Sequence, residues 1–119
     1  ISVQDIGLSG KTGMDGLAVG RPSKLIGRIV GHRLDGIYTL AEEAPYHYLR
    51  QLWESEAIAV EPSAAASLPG YRLVQEDRHY AKRFTKEQWK NSTHIAWSTG
   101  GSMVPHEEME AYRAKGKEY

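Results

Sequence analysis

Glycine and proline interrupt this chain so often that no apolar run lasts more than a few residues, so any core has to be assembled from short elements meeting side by side. The first 21 residues carry glycines at 7, 10, 13, 16 and 20 around one apolar cluster at 16–20, and they read as loop with a short extended piece. Runs this short fall far below the roughly 20 apolar residues that span a bilayer, and no leader pattern of basic, apolar and small-residue regions opens the sequence. A soluble, cytoplasmic chain without a membrane partner is the expectation. The absence of cysteine excludes disulfide frameworks, thiolate nucleophiles and cysteine zinc sites. Stability then rests on packing alone, and 119 residues with 40% apolar content suffice for one core. Fifteen Lys and Arg balance fifteen Asp and Glu, so the broad basic field that nucleic-acid binding needs is missing. The first residue is Ile1, followed directly by Ser2, Val3, Gln4 and Asp5 with no polar, frayed lead-in, which reads as a fragment or a processed product.

Local signals place the elements. Pro22 and Ser23 open a helix on which Leu25, Ile26, Ile29, Val30 and Leu34 form one apolar stripe, with Lys24, Arg28, His32 and Arg33 largely outside it. Asp35-Gly36 is a turn, and the β-branched and aromatic run 37–40 suits a strand. Glu42 and Glu43 favour a helix N-terminus, Pro45 fits its first turn, and Ala44, Tyr48, Leu49, Leu52 and Trp53 make the buried face of a helix ending near Glu56. Residues 58–60 read as a buried strand, and Glu61-Pro62-Ser63 starts an Ala-rich helical turn to about Leu68, closed by Pro69-Gly70.

The mixed polar stretch 70–84 reads as a surface loop or solvated helix end. Thr85 with Gln88 forms a capping-box pattern that opens a short helix with Trp89 inward. Residues 93–98 carry the clearest strand pattern, ahead of Thr99-Gly100-Gly101-Ser102. Pro105, Glu107 and Glu108 then open a helix whose basic end is Arg113, Lys115 and Lys117. Strands alternating with helices at this interval predict an α/β fold, a partial open sheet with packed helices, as one unit over residues 1–119.

The histidines at 32, 47, 79, 94 and 106 show no spacing that aims two imidazoles at one metal, so no metal site is expected, and His94 reads as a hydrogen-bonded face or core residue. The acid pairs Glu42/Glu43 and Glu107/Glu108 are accounted for as first-turn charges. Gly13, Gly16 and Gly20 do not match the dinucleotide fingerprint. The loop at 98–102 is better placed, because ligands collect where a strand gives way to a helix. Its backbone N–H groups, hydroxyls and glycines could hold an anion or a heteroaromatic nitrogen; the alternative is a tight turn whose hydroxyls merely cap.

Three segments together carry a resemblance: Asp15-Gly16-Leu17-Ala18-Val19-Gly20-Arg21, then Glu61-Pro62-Ser63-Ala64, then Trp97-Ser98-Thr99-Gly100-Gly101-Ser102-Met103-Val104-Pro105. In these the chain resembles the C-terminal part of the bacterial D-serine dehydratase family (D-serine ammonia-lyases), pyridoxal-phosphate enzymes of fold type II, the tryptophan-synthase β-like group. The likeness extends to 1–7, to 34–40 and to the tail from Glu107 to Gly116, and is weakest over 70–84. It implies that the intact enzyme converts D-serine to pyruvate and ammonia by β-elimination on its cofactor.

It further implies that Thr99 takes the position of the family's hydroxyl donor to the pyridine nitrogen. Gly100 and Gly101 would let the backbone pass close to the ring, Gly16 would lie in the loop at the cofactor's edge, and Glu61 would match an acid near the ring. A neutral alcohol donates to an unprotonated ring nitrogen without protonating it, which suits elimination. Ser98 and Ser102 depart from the small residues usual there and leave the Thr99 role intact.

The family's Schiff-base lysine, its phosphate loop and its monovalent-cation acid have no counterpart among these residues, and Lys11, Lys24, Lys82, Lys86 and Lys90 lie outside the lysine motif. The resemblance therefore implies a C-terminal piece with no catalytic residue of its own, inactive alone and not expected to hold the cofactor, whose partner is the missing N-terminal part of the same chain. Leu17, Val19, Ile95 and Trp97 would then form an apolar patch that favours self-association. The alternatives are a stand-alone α/β module binding a small molecule or a protein, or a piece of an L-serine or L-threonine deaminase, which the 97–105 run disfavours.

Overall fold

The computed structural model describes residues 1–117, and their regular secondary structure is entirely helical. The expected α/β open sheet is therefore corrected: residues 37–40, 58–60 and 93–98 belong to no strand. A strand pattern reports a chain suited to pairing, but the ladder exists only where a second backbone supplies the opposite donors and acceptors. Among the described residues no ladder forms on these runs, although the backbone of Gly101 lies against 59–60. The run at 93–98 stands wholly exposed, with Ile95 at 86% and Trp97 at 80% of their full accessibility.

The described chain forms two compact units, Ile1–Glu42 and a second that starts at Glu43. The first unit is loop tied by a few long-range bonds. Short 3-10 turns occupy Gln4–Ile6 and Asp15–Leu17, the Val3 N–H donates to the Gly20 carbonyl at 3.0 Å, and the Gly13 N–H donates to Glu42 Oε1 at 2.6 Å. Helix α1, Lys24–Val30, starts as the sequence predicts, with Ser23 Oγ accepting from the Ile26 N–H, and runs on into a 3-10 turn at Gly31–Arg33. Its apolar stripe is not covered: Leu25, Ile26, Ile29 and Leu34 are each more than half exposed. Ile1, Val3, Ile6, Val19 and Pro22 line an open apolar groove of about 320 Å³ in the same unit.

The second unit is built on α2, Ala44–Glu56, which packs against α3, Pro62–Ala65, and against α7, His106–Lys115. Pro45 occupies the first turn of α2, where a missing N–H leaves no bond unmade. The helix stops at Ala57, whose N–H still donates to the Trp53 carbonyl at 3.0 Å while its left-handed φ of 56° turns the following chain away. Ala44, Tyr46 and Leu49 of α2, Val60, Ala64 and Ala65 beside and within α3, and Met109 of α7 make up the core. Tyr48 and Leu52 are half-buried, and Trp53 lies open on one face while the Arg113 guanidinium covers its ring at 3.8 Å. Tyr46 escaped the predicted face. It is held under Tyr112, with ring centroids 5.8 Å apart, and under Lys115. The end of α7 comes so close to α2 that a side chain at Gly116 would collide with the Tyr46 carbonyl.

Between these packed helices, 70–84 is helical rather than loop: α4, Gly70–Glu76, and α5, Arg78–Ala81. Asp77 separates them, accepting at Oδ1 from the N–H groups of His79 and Tyr80 as an N-cap. Helix α6, Lys86–Lys90, carries both capping-box bonds, Gln88 N–H to Thr85 Oγ1 at 3.1 Å and Thr85 N–H to Gln88 Oε1 at 2.7 Å. Its Trp89 is half-buried and donates Nε1–H to the Ala81 carbonyl. Among the described residues, no helix is long and apolar enough to cross a membrane.

Candidate functional site

The site begins at Pro62, because proline crowds the residue before it into an extended conformation. Glu61 accordingly lies at φ −73°, ψ 160° and serves as the N-cap residue of α3. Its carbonyl accepts from the N–H groups of Ala64 and Ala65, both at 3.0 Å, while its own N–H points away from the helix and donates to the Gly100 carbonyl at 3.1 Å. One residue thus belongs to a packed helix through its carbonyl and to the 99–102 loop through its amide.

Contact crowds one glycine and requires the other. A Cβ on Gly100 would lie 3.3 Å from Glu61 Oε1 and 3.5 Å from its Cδ. At Gly101 the backbone itself is the obstacle: a Cβ would fall 2.6 Å from Val60 Cα, 2.8 Å from the Ala59 carbonyl oxygen and 2.9 Å from the Glu61 nitrogen. The φ of Gly101, 150°, is also one that L side chains rarely adopt. The loop then turns, with the Val104 N–H donating to the Gly101 carbonyl at 3.2 Å, and α7 follows.

Thr99 stands exposed just ahead of the pinned glycines, and its hydroxyl makes no hydrogen bond among the described residues. Glu61, Gly100 and Gly101 are therefore brought together, with Thr99 joined to them through the chain. Gly16 belongs to the first unit, in the 3-10 turn Asp15–Leu17, where its N–H is already taken by Asp15 Oδ1 at 2.7 Å. The parts that sequence reading missed are the backbones of Ala59 and Val60, which no side-chain motif announces.

His94 is hydrogen-bonded, as its reading as a face residue anticipates. Its Nε2 lies 2.7 Å from Ser92 Oγ, and its ring stacks on Trp89 at 5.8 Å and meets Tyr71 at 4.2 Å. The Ser92 hydroxyl also donates to the Trp89 carbonyl, so the pair pins a helix end. Among the described residues, no group of three His, Asp or Glu side chains is arranged to hold a metal ion.

No protein-family model matches the chain. Individual relatives do. The chain is 49% identical over 119 residues to a D-serine dehydratase of Escherichia coli, an alignment that takes in 98% of this chain and 27% of that protein. It is 49% identical over 118 residues to a D-serine dehydratase 2 from another Escherichia coli strain, with the same two shares. A probable D-serine dehydratase of Vibrio campbellii is 47% identical over 117 residues, covering 97% of this chain and 26% of that one. The chain spans about a quarter of the length of these curated relatives. The likeness carried by the segments around Gly16, Glu61 and Thr99 thus runs along nearly the whole chain, which is kin to the bacterial D-serine dehydratases and corresponds to one part of them.

Proposed function

We propose that this chain is the C-terminal part of a pyridoxal-phosphate-dependent D-serine ammonia-lyase and carries one wall of its cofactor site. The observation that carries the reading is the Thr99 hydroxyl, exposed and without a partner among the described residues, beside two glycines pinned to Val60 and Glu61. A donor set of this kind fits a pyridine nitrogen: one neutral O–H, with no cationic side chain forming a hydrogen bond or ion pair with 99–101 among the described residues. It does not suit a phosphate, which asks for several N–H donors or a cation. The names of the relatives support the choice of D-serine as substrate.

When bound, the cofactor supplies an electron-withdrawing ring that lets the substrate lose its α-proton and then its hydroxyl group. Thr99 gives the ring nitrogen a hydrogen bond without giving it a proton. Gly100 and Gly101 keep side chains out of that wall. Glu61 and Val60 hold the two glycines in place.

The remaining machinery belongs to the rest of the intact protein, and the 119-residue chain is inactive alone. The test is pyruvate release from D-serine, L-serine and L-threonine by the intact protein and by this chain with added pyridoxal phosphate. Turnover of D-serine by the intact protein alone is expected. Turnover by the short chain overturns its assignment as a partial site, and a preference for the L-amino acids moves the protein to the deaminases.

A further inference from the structure

We infer that Glu61 is a positioning residue that acts through its main chain: its amide ties the Thr99 loop to the α2–α3 core, and its carboxylate is not what the site depends on. The inference rests on the assignment of Thr99 to the cofactor's ring nitrogen, while the tie itself is a property of the chain.

The loop has little else to hold it. Residues 93–100 are all exposed, and among the described residues the Glu61 N–H to Gly100 carbonyl bond is the only backbone hydrogen bond joining 93–100 to the rest of the second unit. His94 holds the start of the segment against Trp89 and Tyr71, and at its other end, beside Thr99, Gly101 meets the backbone of Ala59, Val60 and Glu61. The attachments of Gly100 and Gly101 therefore end on the same short stretch of chain, 59–61.

That stretch is firmly placed. Val60 is buried, Pro62, Ala64 and Ala65 are buried in α3 against α2, and the Glu61 carbonyl is committed to the first turn of α3. Pro62 holds Glu61 extended, the conformation that aims its N–H outward at Gly100. The carboxylate has no comparable commitment. Among the described residues it neither caps α3 nor enters an ion pair, and it lies along the open flank of Gly100. Position thus passes from the helix pair through one amide to Gly100 and on to the Thr99 hydroxyl.

Two substitutions separate amide from carboxylate in the intact protein. Glu61→Ala removes the carboxylate and keeps the N–H; Glu61→Pro removes the N–H as well and sets its Cδ against the Gly100 carbonyl, so the tie is broken, while the φ of −73° suits the proline ring. The readouts are the dissociation constant of pyridoxal phosphate and the absorbance spectrum of the bound cofactor, beside D-serine turnover. Loss of one anchoring hydrogen bond predicts roughly tenfold weaker cofactor binding and a shifted spectrum for Glu61→Pro, against less than about threefold for Glu61→Ala. Equal losses in the two variants overturn the inference. Should Glu61→Pro fail to fold, amide hydrogen exchange in the unaltered chain decides: a slowed Glu61 amide supports the tie, and one exchanging at the free-chain rate overturns it. An unaltered intact protein that binds no cofactor, yet shows the slowed amide, overturns the assignment of Thr99 and leaves the tie standing.

Discussion

Gly101 rests against Val60 so closely that even a methyl group on Gly101 would fall 2.6 Å from Val60 Cα. The obstacle is backbone, so it cannot be relieved by turning a side chain. Contact between two main chains fixes a loop more rigidly than contact between rotatable groups, and here it fixes the loop that carries Thr99.

Gly101→Ala is accordingly expected to open the loop. The new side chain adds a φ strain of about 1–3 kcal/mol to the collision, and the Glu61 amide should lose its bond to Gly100 as the segments part. Faster hydrogen exchange at the Glu61 amide, with the helices unchanged by circular dichroism, is the expected result. An unaltered exchange rate would show that the loop does not rest on Val60.

Thr99 offers a test at nearly constant volume. In the intact protein Thr99→Val removes only the hydroxyl and should weaken pyridoxal-phosphate binding by about tenfold, while Thr99→Ser keeps the donor and stays within about threefold. Cofactor titration reads both. A valine variant that binds as tightly as the parent rules out a hydrogen bond from this hydroxyl to the ring.

Leu49 is the largest fully buried side chain, on the α2 face that meets α3 and α7. Leu49→Ala should cost the second unit about 2–5 kcal/mol, part from lost transfer and part from the cavity left behind. Urea unfolding followed by circular dichroism measures it. A cost below 1 kcal/mol, well under that range, would mean the core has another centre.

The Arg113 guanidinium covers Trp53 at 3.8 Å, pairs with Glu110 and keeps only 14% of its side-chain exposure. Lysine can supply the charge but not the flat surface, so Arg113→Lys should lose about 1 kcal/mol. A double-mutant cycle with Trp53→Leu isolates the contact, and a coupling energy near zero would assign the geometry to packing alone.

Much of the helical layout was legible because caps are local. Ser23, the Thr85 and Gln88 box, Pro62 and Pro105 each mark a helix start, and α1, α3, α6 and α7 begin beside them. Asp77 could have been read the same way, as an N-cap ahead of α5, but it stands in a run of charges that looked like solvated surface. The strand expectations at 37–40, 58–60 and 93–98 failed for the opposite reason. A strand is completed by another piece of backbone, and a pattern along one segment carries no information about whether that piece lies alongside.

The site divides in the same manner. Thr99, Gly100 and Gly101 read as a loop able to bind from the residues themselves, whereas Glu61 entered only through the resemblance that 61–64 help to carry. What the sequence could not show was that Gly101 meets Val60 or that Glu61 donates to Gly100, because these are encounters between backbones far apart along the chain. Only the glycines hinted at a close approach, and they did not say to what.

Three of the buried core residues of α2 and α3 are alanines: Ala44, Ala64 and Ala65. Alanine has no rotamers to freeze, so bringing these helices together forfeits almost none of the side-chain freedom that leucine or methionine would surrender. The support beneath Glu61 is therefore cheap in entropy at these positions, and after a thermal excursion few side chains besides Leu49 and Tyr46 have to re-sort before the two helices close again.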